Sequence, residues 1–128
     1  MFTFQKRVLF DAMNSDTGLQ HYYFKQPEPI QGCLLALKDI ILGIDKQIVQ
    51  RRKYQIPFFY YKEKSLGFLW VYRKKIMVGF ITDKSVLPHE REPHKNKVET
   101  MLIAPSEDIP VEIITDHYLQ LMRLYDSA

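Results

Sequence analysis

Hydrophobic and polar positions follow two different rhythms along this chain. From Ile30 to Leu42 the apolar residues Ile30, Cys33, Leu34, Leu37, Ile40 and Ile41 recur at steps of 3, 1, 3, 3 and 1. Such spacing lays one apolar stripe along an α-helix, with Lys38 and Asp39 on the other side. Pro29 fits the first helical turn, and Gly43 is expected to end the helix in a left-handed conformation. Asp45 is expected to cap a second, shorter helix running through Ile48 and Val49 towards Arg52. The rhythm then changes. Between Tyr54 and Thr82 three apolar, aromatic runs are separated by two short charged breaks, the pattern of an antiparallel meander.

In the first run Ile56, Phe58 and Tyr60 share one face, and Pro57, Phe59 and Tyr61 the other. In the second, Leu66, Phe68, Trp70 and Tyr72 oppose Gly67, Leu69 and Val71. The third sets Ile76, Val78 and Phe80 against Met77, Gly79 and Ile81. Both faces are apolar, so one packs on helices and the other needs a cover or serves as a binding surface. Gly67 and Gly79 would let a neighbour approach the backbone closely. Val98, Thr100 and Leu102 alternate with Met101 and Ile103, which predicts a fourth strand. A C-terminal helix follows, capped by Asp108 with Pro110 in its first turn, and carries Val111, Ile114, Tyr118, Leu121, Met122 and Tyr125 on one face.

At the other end of the chain, Phe4, Val8 and Ala12 suit a short helix within residues 1–14. Asn14 to Gly18 read as a turn, and His21 to Phe24 form an aromatic patch before Pro27 and Pro29. The order of elements predicts one α+β domain of two layers, with N-terminal and C-terminal helices packed on one face of an antiparallel sheet.

Composition supports a globular chain: 128 residues, 46% hydrophobic and 26% charged. No apolar run reaches membrane-spanning length, and Val8-Leu9-Phe10 is too short for the apolar part of a signal peptide. The single cysteine, Cys33, has no intrachain partner and reads as a small core hydrophobe. These features lead to the expectation of a cytoplasmic protein, without a membrane partner, that is a monomer or a weak homodimer. Net charge is only +3, but it is polarised: residues 46–75 hold nine Lys or Arg against Glu63, a balance of +8, while the remainder stands at −5.

That polarity locates the candidate chemistry. Arg51, Arg52 and Lys53 precede the first apolar run, and Arg73, Lys74 and Lys75 form the turn between the second and third. In a meander both groups lie at one end of the sheet, beside Tyr54, Trp70 and Tyr72. Cations next to aromatic rings suit phosphate or nucleic-acid contact, so a polyanion is one candidate partner. Residues 84–97 form a polar loop. Within it His89, Glu90, Glu92 and His94 are the densest set of potential metal ligands. No Gly-rich phosphate loop and no nucleophile elbow occurs, which points to a non-enzymatic binding module with an unknown ligand and no cofactor.

Several stretches resemble the YdhG-like family, small and mostly bacterial domains of unknown function with a frataxin-like arrangement. They are Leu37-Lys38-Asp39-Ile40-Ile41, Tyr54-Gln55-Ile56-Pro57-Phe58-Phe59-Tyr60, Gly67-Phe68, Ile76 to Phe80, and Glu107-Asp108-Ile109-Pro110 before the last helix. The similarity covers about residues 27–125 of a single domain, leaving about 1–26 as an N-terminal extension. The resemblance implies a frataxin-like fold and, because the family includes a member regarded as an iron chaperone, iron as a candidate ligand. The acids that would correspond to the frataxin ridge, Glu28, Asp39 and Asp45, are spaced too far apart for one site.

Overall fold

The computed structural model describes residues 17–89 and 94–128. Residues 17–24 form a short helix, α1, followed by α2 (Ile30–Ile44). Five strands come next: β1 (Val49–Lys53), β2 (Ile56–Tyr61), β3 (Lys64–Tyr72), β4 (Lys75–Thr82) and β5 (Lys97–Ile103). A 3₁₀ turn at Lys84–Val86 leads into the loop before β5, and α3 (Val111–Ser127) ends the chain. The strands form one antiparallel sheet in the order β1-β2-β3-β4-β5. The architecture is therefore α+β, with helices before and after the sheet. Among the described residues, no helix is long and apolar enough to cross a membrane.

Several local expectations are corrected. The proposed turn over 14–18 gives way at residue 17 to α1, which takes in Gly18 and the aromatic patch His21 to Phe24. The helix suggested within 1–14 lies outside the described residues. Gly43 does not end α2: the helix runs on to Ile44, and no described glycine has a positive φ. The second helix after Asp45 does not form. Asp45 instead accepts the Gln47 backbone N–H at 2.7 Å, and Val49 to Lys53 pair with Tyr60 to Ile56 as an edge strand. At α3 the residue before the helix is Pro110, with no side-chain cap, so Asp108 does not cap it. Val111 is exposed rather than buried.

One sheet face carries the core. Leu34, Leu37 and Ile41 of α2 and Ile114, Tyr118 and Met122 of α3 pack against Phe59, Leu69, Ile76, Val78 and Phe80. Alternation places Phe58, Tyr60, Phe68, Trp70, Tyr72 and Met77 on the opposite face. A bulge breaks that alternation once. Phe59 faces Gly67 but Tyr60 faces Ser65, so β3 carries an extra residue and Leu66 joins the helix-side core. This corrects the expectation that Leu66 shares a face with Phe68, and it turns Ser65 outward.

The two strand glycines each admit a neighbour. A β-carbon at Gly67 would strike the Gly79 carbonyl oxygen and the Tyr118 hydroxyl, and one at Gly79 would strike the Phe68 ring. Tyrosine hydroxyls tie the helices to the strand backbone. Tyr22 accepts the Val71 N–H at 2.8 Å, and Tyr118 donates to the Gly79 carbonyl at 2.6 Å. Tyr125 accepts the Asp83 N–H at 2.9 Å and lies 2.7 Å from the carbonyls of both Ser65 and Ile81. Tyr61 donates to Asp126, which also pairs with Lys62 at 2.7 Å. Hydrogen bonds from Lys62 and Tyr61 hold the Asp126 carboxyl below its usual range.

Three hairpins close on two-residue turns: Tyr54-Gln55, Lys62-Glu63 and Arg73-Lys74. All six residues have φ between 51° and 65°. This is the type I′ geometry that matches strand twist, and it normally draws Asn and Gly. None of these turns contains either.

Candidate functional site: the aromatic sheet face

None of the described helices packs on the face that carries Phe58, Phe68 and Trp70. It is an aromatic pavement. Phe58 sits 5.5 Å from Phe68, 5.8 Å from Tyr54 and 6.4 Å from Tyr60, ring centre to ring centre, and Trp70 lies 5.1 Å from Tyr72. A hollow of about 380 Å³ opens between them, lined by Lys53, Tyr54, Ile56, Phe58, Ser65, Phe68, Trp70, Ile81, Asn96 and Val98. That volume falls in the range of small-molecule sites. Its floor is apolar, Lys53 is its one charged wall, and Ser65 and Asn96 supply polar atoms.

The backbone explains how these groups meet. Pairing sets Arg51 opposite Phe58 and Lys53 opposite Ile56, so both cations point to the aromatic side. Arg51 lies over the Tyr60 ring at 5.2 Å, and Lys53 lies over Tyr54 at 5.3 Å and Phe58 at 5.4 Å. Across the sheet Arg73 lies over Tyr72 at 5.2 Å, and Lys75 pairs with Tyr72 across the β3–β4 hairpin. Cation–π contacts of this exposed kind contribute about 0.5–1 kcal/mol each, enough to hold a cation near a ring but not to fix it there.

The six predicted cations thus gather at one end of the sheet, but they divide between its faces. Arg51, Lys53, Arg73 and Lys75 belong to the aromatic side. Arg52 alternates to the helix side and packs against Gly18 of α1. Lys74 lines a separate hollow with Pro27, Glu28, Pro29, Ile30, Pro105 and Ser106. All three predicted aromatic residues, Tyr54, Trp70 and Tyr72, lie on the aromatic side, and Tyr54 is 77% exposed.

With the geometry in place, comparison with known proteins adds nothing to it. No family model, curated protein or solved structure matches this chain. The surface has to be read from its own residues.

The histidine loop fares differently. His89 and His94 meet with their rings 4.9 Å apart, while Glu90 and Glu92 lie outside the described residues. Among the described residues no group of three or more His, Cys, Asp or Glu could hold a metal ion. Cys33 is buried on α2, and burial pushes its thiol pKa up, away from the reactive thiolate.

Sequence reasoning missed several lining residues. Phe68 carried a signal, since alternation within its run put it on the face of Trp70; Phe58 was grouped only with Ile56 and Tyr60, and the β2–β3 pairing is what brings it to that face. Ser65 was hidden by the bulge. Ile81, Asn96 and Val98 reach the hollow through the β4–β5 pairing, which no local pattern displays.

Proposed function

We propose that this chain is a non-enzymatic binding module that takes single-stranded nucleic acid on its aromatic sheet face. The observation that carries this reading is the placement of Arg51, Lys53, Arg73 and Lys75 beside the exposed Tyr54 and Trp70 and the half-buried Tyr72, above a buried Phe58, on one side of one sheet. A base has a π-face that stacks on an exposed ring, and its phosphate is an anion. A surface that pairs rings with cations answers both needs without reading sequence. The opposite layer is consistent with the choice: α3 carries Glu112 and Asp116 against Arg123, with Asp126 neutralised by Lys62, so the C-terminal helix offers an anionic strand no net attraction.

Membership of the YdhG-like family belongs to the same proposal. Its support is the set of sequence stretches given above and the order of helices before and after an antiparallel meander. Iron handling in the frataxin manner gains no supporting arrangement of ligands among the described residues.

The test is fluorescence anisotropy of the full chain with a labelled oligonucleotide of mixed sequence across a salt series. Binding is expected to weaken steeply with salt, and the single tryptophan, Trp70, should be quenched on binding. Trp70→Ala should weaken binding about tenfold, the loss of one stacked base. Arg51→Ala with Lys53→Ala should lower the salt slope by about 1.4 on single strands. No binding at low salt, or binding indifferent to these variants, overturns the proposal.

A further inference from the structure

The two edges of the sheet are unlike. β1 is short, five residues, and ends in three successive cations, Arg51, Arg52 and Lys53. Charge of one sign along an edge is a common guard against pairing with another strand. β5 has no such guard. It is seven residues long, contains no proline, and pairs with β4 without interruption from Ile76–Ile103 to Thr82–Lys97. Its outer edge has no hydrogen-bonded neighbour among the described strands. Lys97 and Glu99 form an ion pair at 3.5 Å and cancel.

Apolar side chains flank that open edge on both sides. On the aromatic side Val98 and Leu102 are each 52% exposed. On the helix side Ile113 of α3 is 59% exposed and shares a hollow with Glu99. An unguarded edge bordered by exposed apolar groups is a template for strand addition.

We infer that β5 pairs with β5 of a second copy of this chain, antiparallel about a two-fold axis through Thr100. The sequence of the edge selects this occupant because it complements itself. Rotation about Thr100 sets Val98 of each copy against Leu102 of the other, apolar on apolar, twice. Glu99 then faces Met101 and Lys97 faces Ile103, so no like charges are opposed. All seven residues of the strand are used. A β1–β1 pairing would instead bring two runs of three cations together. The product is a closed, isologous dimer with one continuous sheet. Because facing residues share a side, the two aromatic faces lie on the same side of that sheet. The inference stands on the edge alone and does not depend on what the aromatic face binds.

Sedimentation of the full chain over a concentration series provides the test. A reversible monomer–dimer equilibrium is expected. Val98→Lys combined with Leu102→Lys should raise the dimer dissociation constant at least about a hundredfold, with the far-ultraviolet circular dichroism unchanged, since both side chains are exposed. A second measurement fixes the register independently. When a Val98→Cys chain is mixed with a Leu102→Cys chain, a short thiol cross-linker should join unlike chains in preference to like ones. A monomer at every concentration, a dimer indifferent to the lysine substitutions, or cross-linking without preference for unlike chains overturns the inference.

Discussion

Tyr118 shows how much one side chain is asked to do. Its ring is fully buried among the helix-side residues, it leans on Phe80 at 4.7 Å, and its hydroxyl reaches the Gly79 carbonyl through space left by Gly67. Ring and hydroxyl can be separated by substitution. Tyr118→Phe keeps the packing and strands a buried acceptor, so it should cost about 1–2 kcal/mol in denaturant unfolding. Gly67→Ala attacks the same junction sterically, against backbone that cannot yield, and should cost roughly 2–3 kcal/mol. The sequence marks Tyr118 as a core residue through its spacing from Ile114 and Leu121. It does not show that the hydroxyl has a task, because the acceptor lies 39 residues away. Leu66 failed to read correctly for a related reason: a bulge moves one residue to the other face, and nothing local announces it.

Elements read well where a long period repeats and poorly where it does not. α2, α3 and β2 to β5 are visible as apolar stripes or alternations. β1 is not: Val49-Gln50-Arg51-Arg52-Lys53 has one apolar residue, and its strand conformation comes from pairing with β2. The hairpin turns are the opposite case, since their lengths are legible but their conformation is not. Tyr-Gln, Lys-Glu and Arg-Lys all occupy a left-handed region that disfavours residues with a β-carbon, at a cost of about 1–2 kcal/mol per residue. Replacing Arg73-Lys74 by Asn-Gly should therefore raise stability by about 1 kcal/mol in chemical denaturation. The same change should weaken oligonucleotide binding, because it removes the cation over Tyr72. Stability and binding moving in opposite directions would identify the turn as kept for its side chains; a fall in both would show that the turn tolerates its residues for a packing reason.

At the scale of the whole molecule the charge pattern and the tyrosines dominate. The sequence already displayed the +8 stretch, and the fold sends Arg51, Lys53, Arg73 and Lys75 from it to the aromatic side, while Arg52 and Lys74 leave that face. Which cations share a face was not legible, because Arg52 and Lys74 differ from their neighbours only by alternation and turn geometry. The helix tyrosines give the molecule a defined alkaline limit. Burial pushes Tyr125 up to about 12, partly offset by its hydrogen bond from Asp83, and burial also raises Tyr118, Tyr22 and Tyr23. Groups whose folded pKa is raised hold their protons longer in the folded state. Their stabilisation is complete below pH 10, the ordinary tyrosine value, and is lost as pH rises towards the folded values. Unfolding midpoints should stay level up to about pH 10 and then fall, with tyrosinate absorbance rising in step. A flat stability profile to pH 12 would contradict this account.

The same hydroxyls decide how the sheet breathes. Strand ends are where a ladder ordinarily frays, yet the Val71 amide near the end of β3 is held by Tyr22, and the Asp83 amide just past β4 by Tyr125. The central strands are thus pinned at opposite ends by side chains from opposite termini of the chain. Opening is therefore expected to begin at β1, and at β5 in the unpaired monomer, before it reaches the central strands β3 and β4.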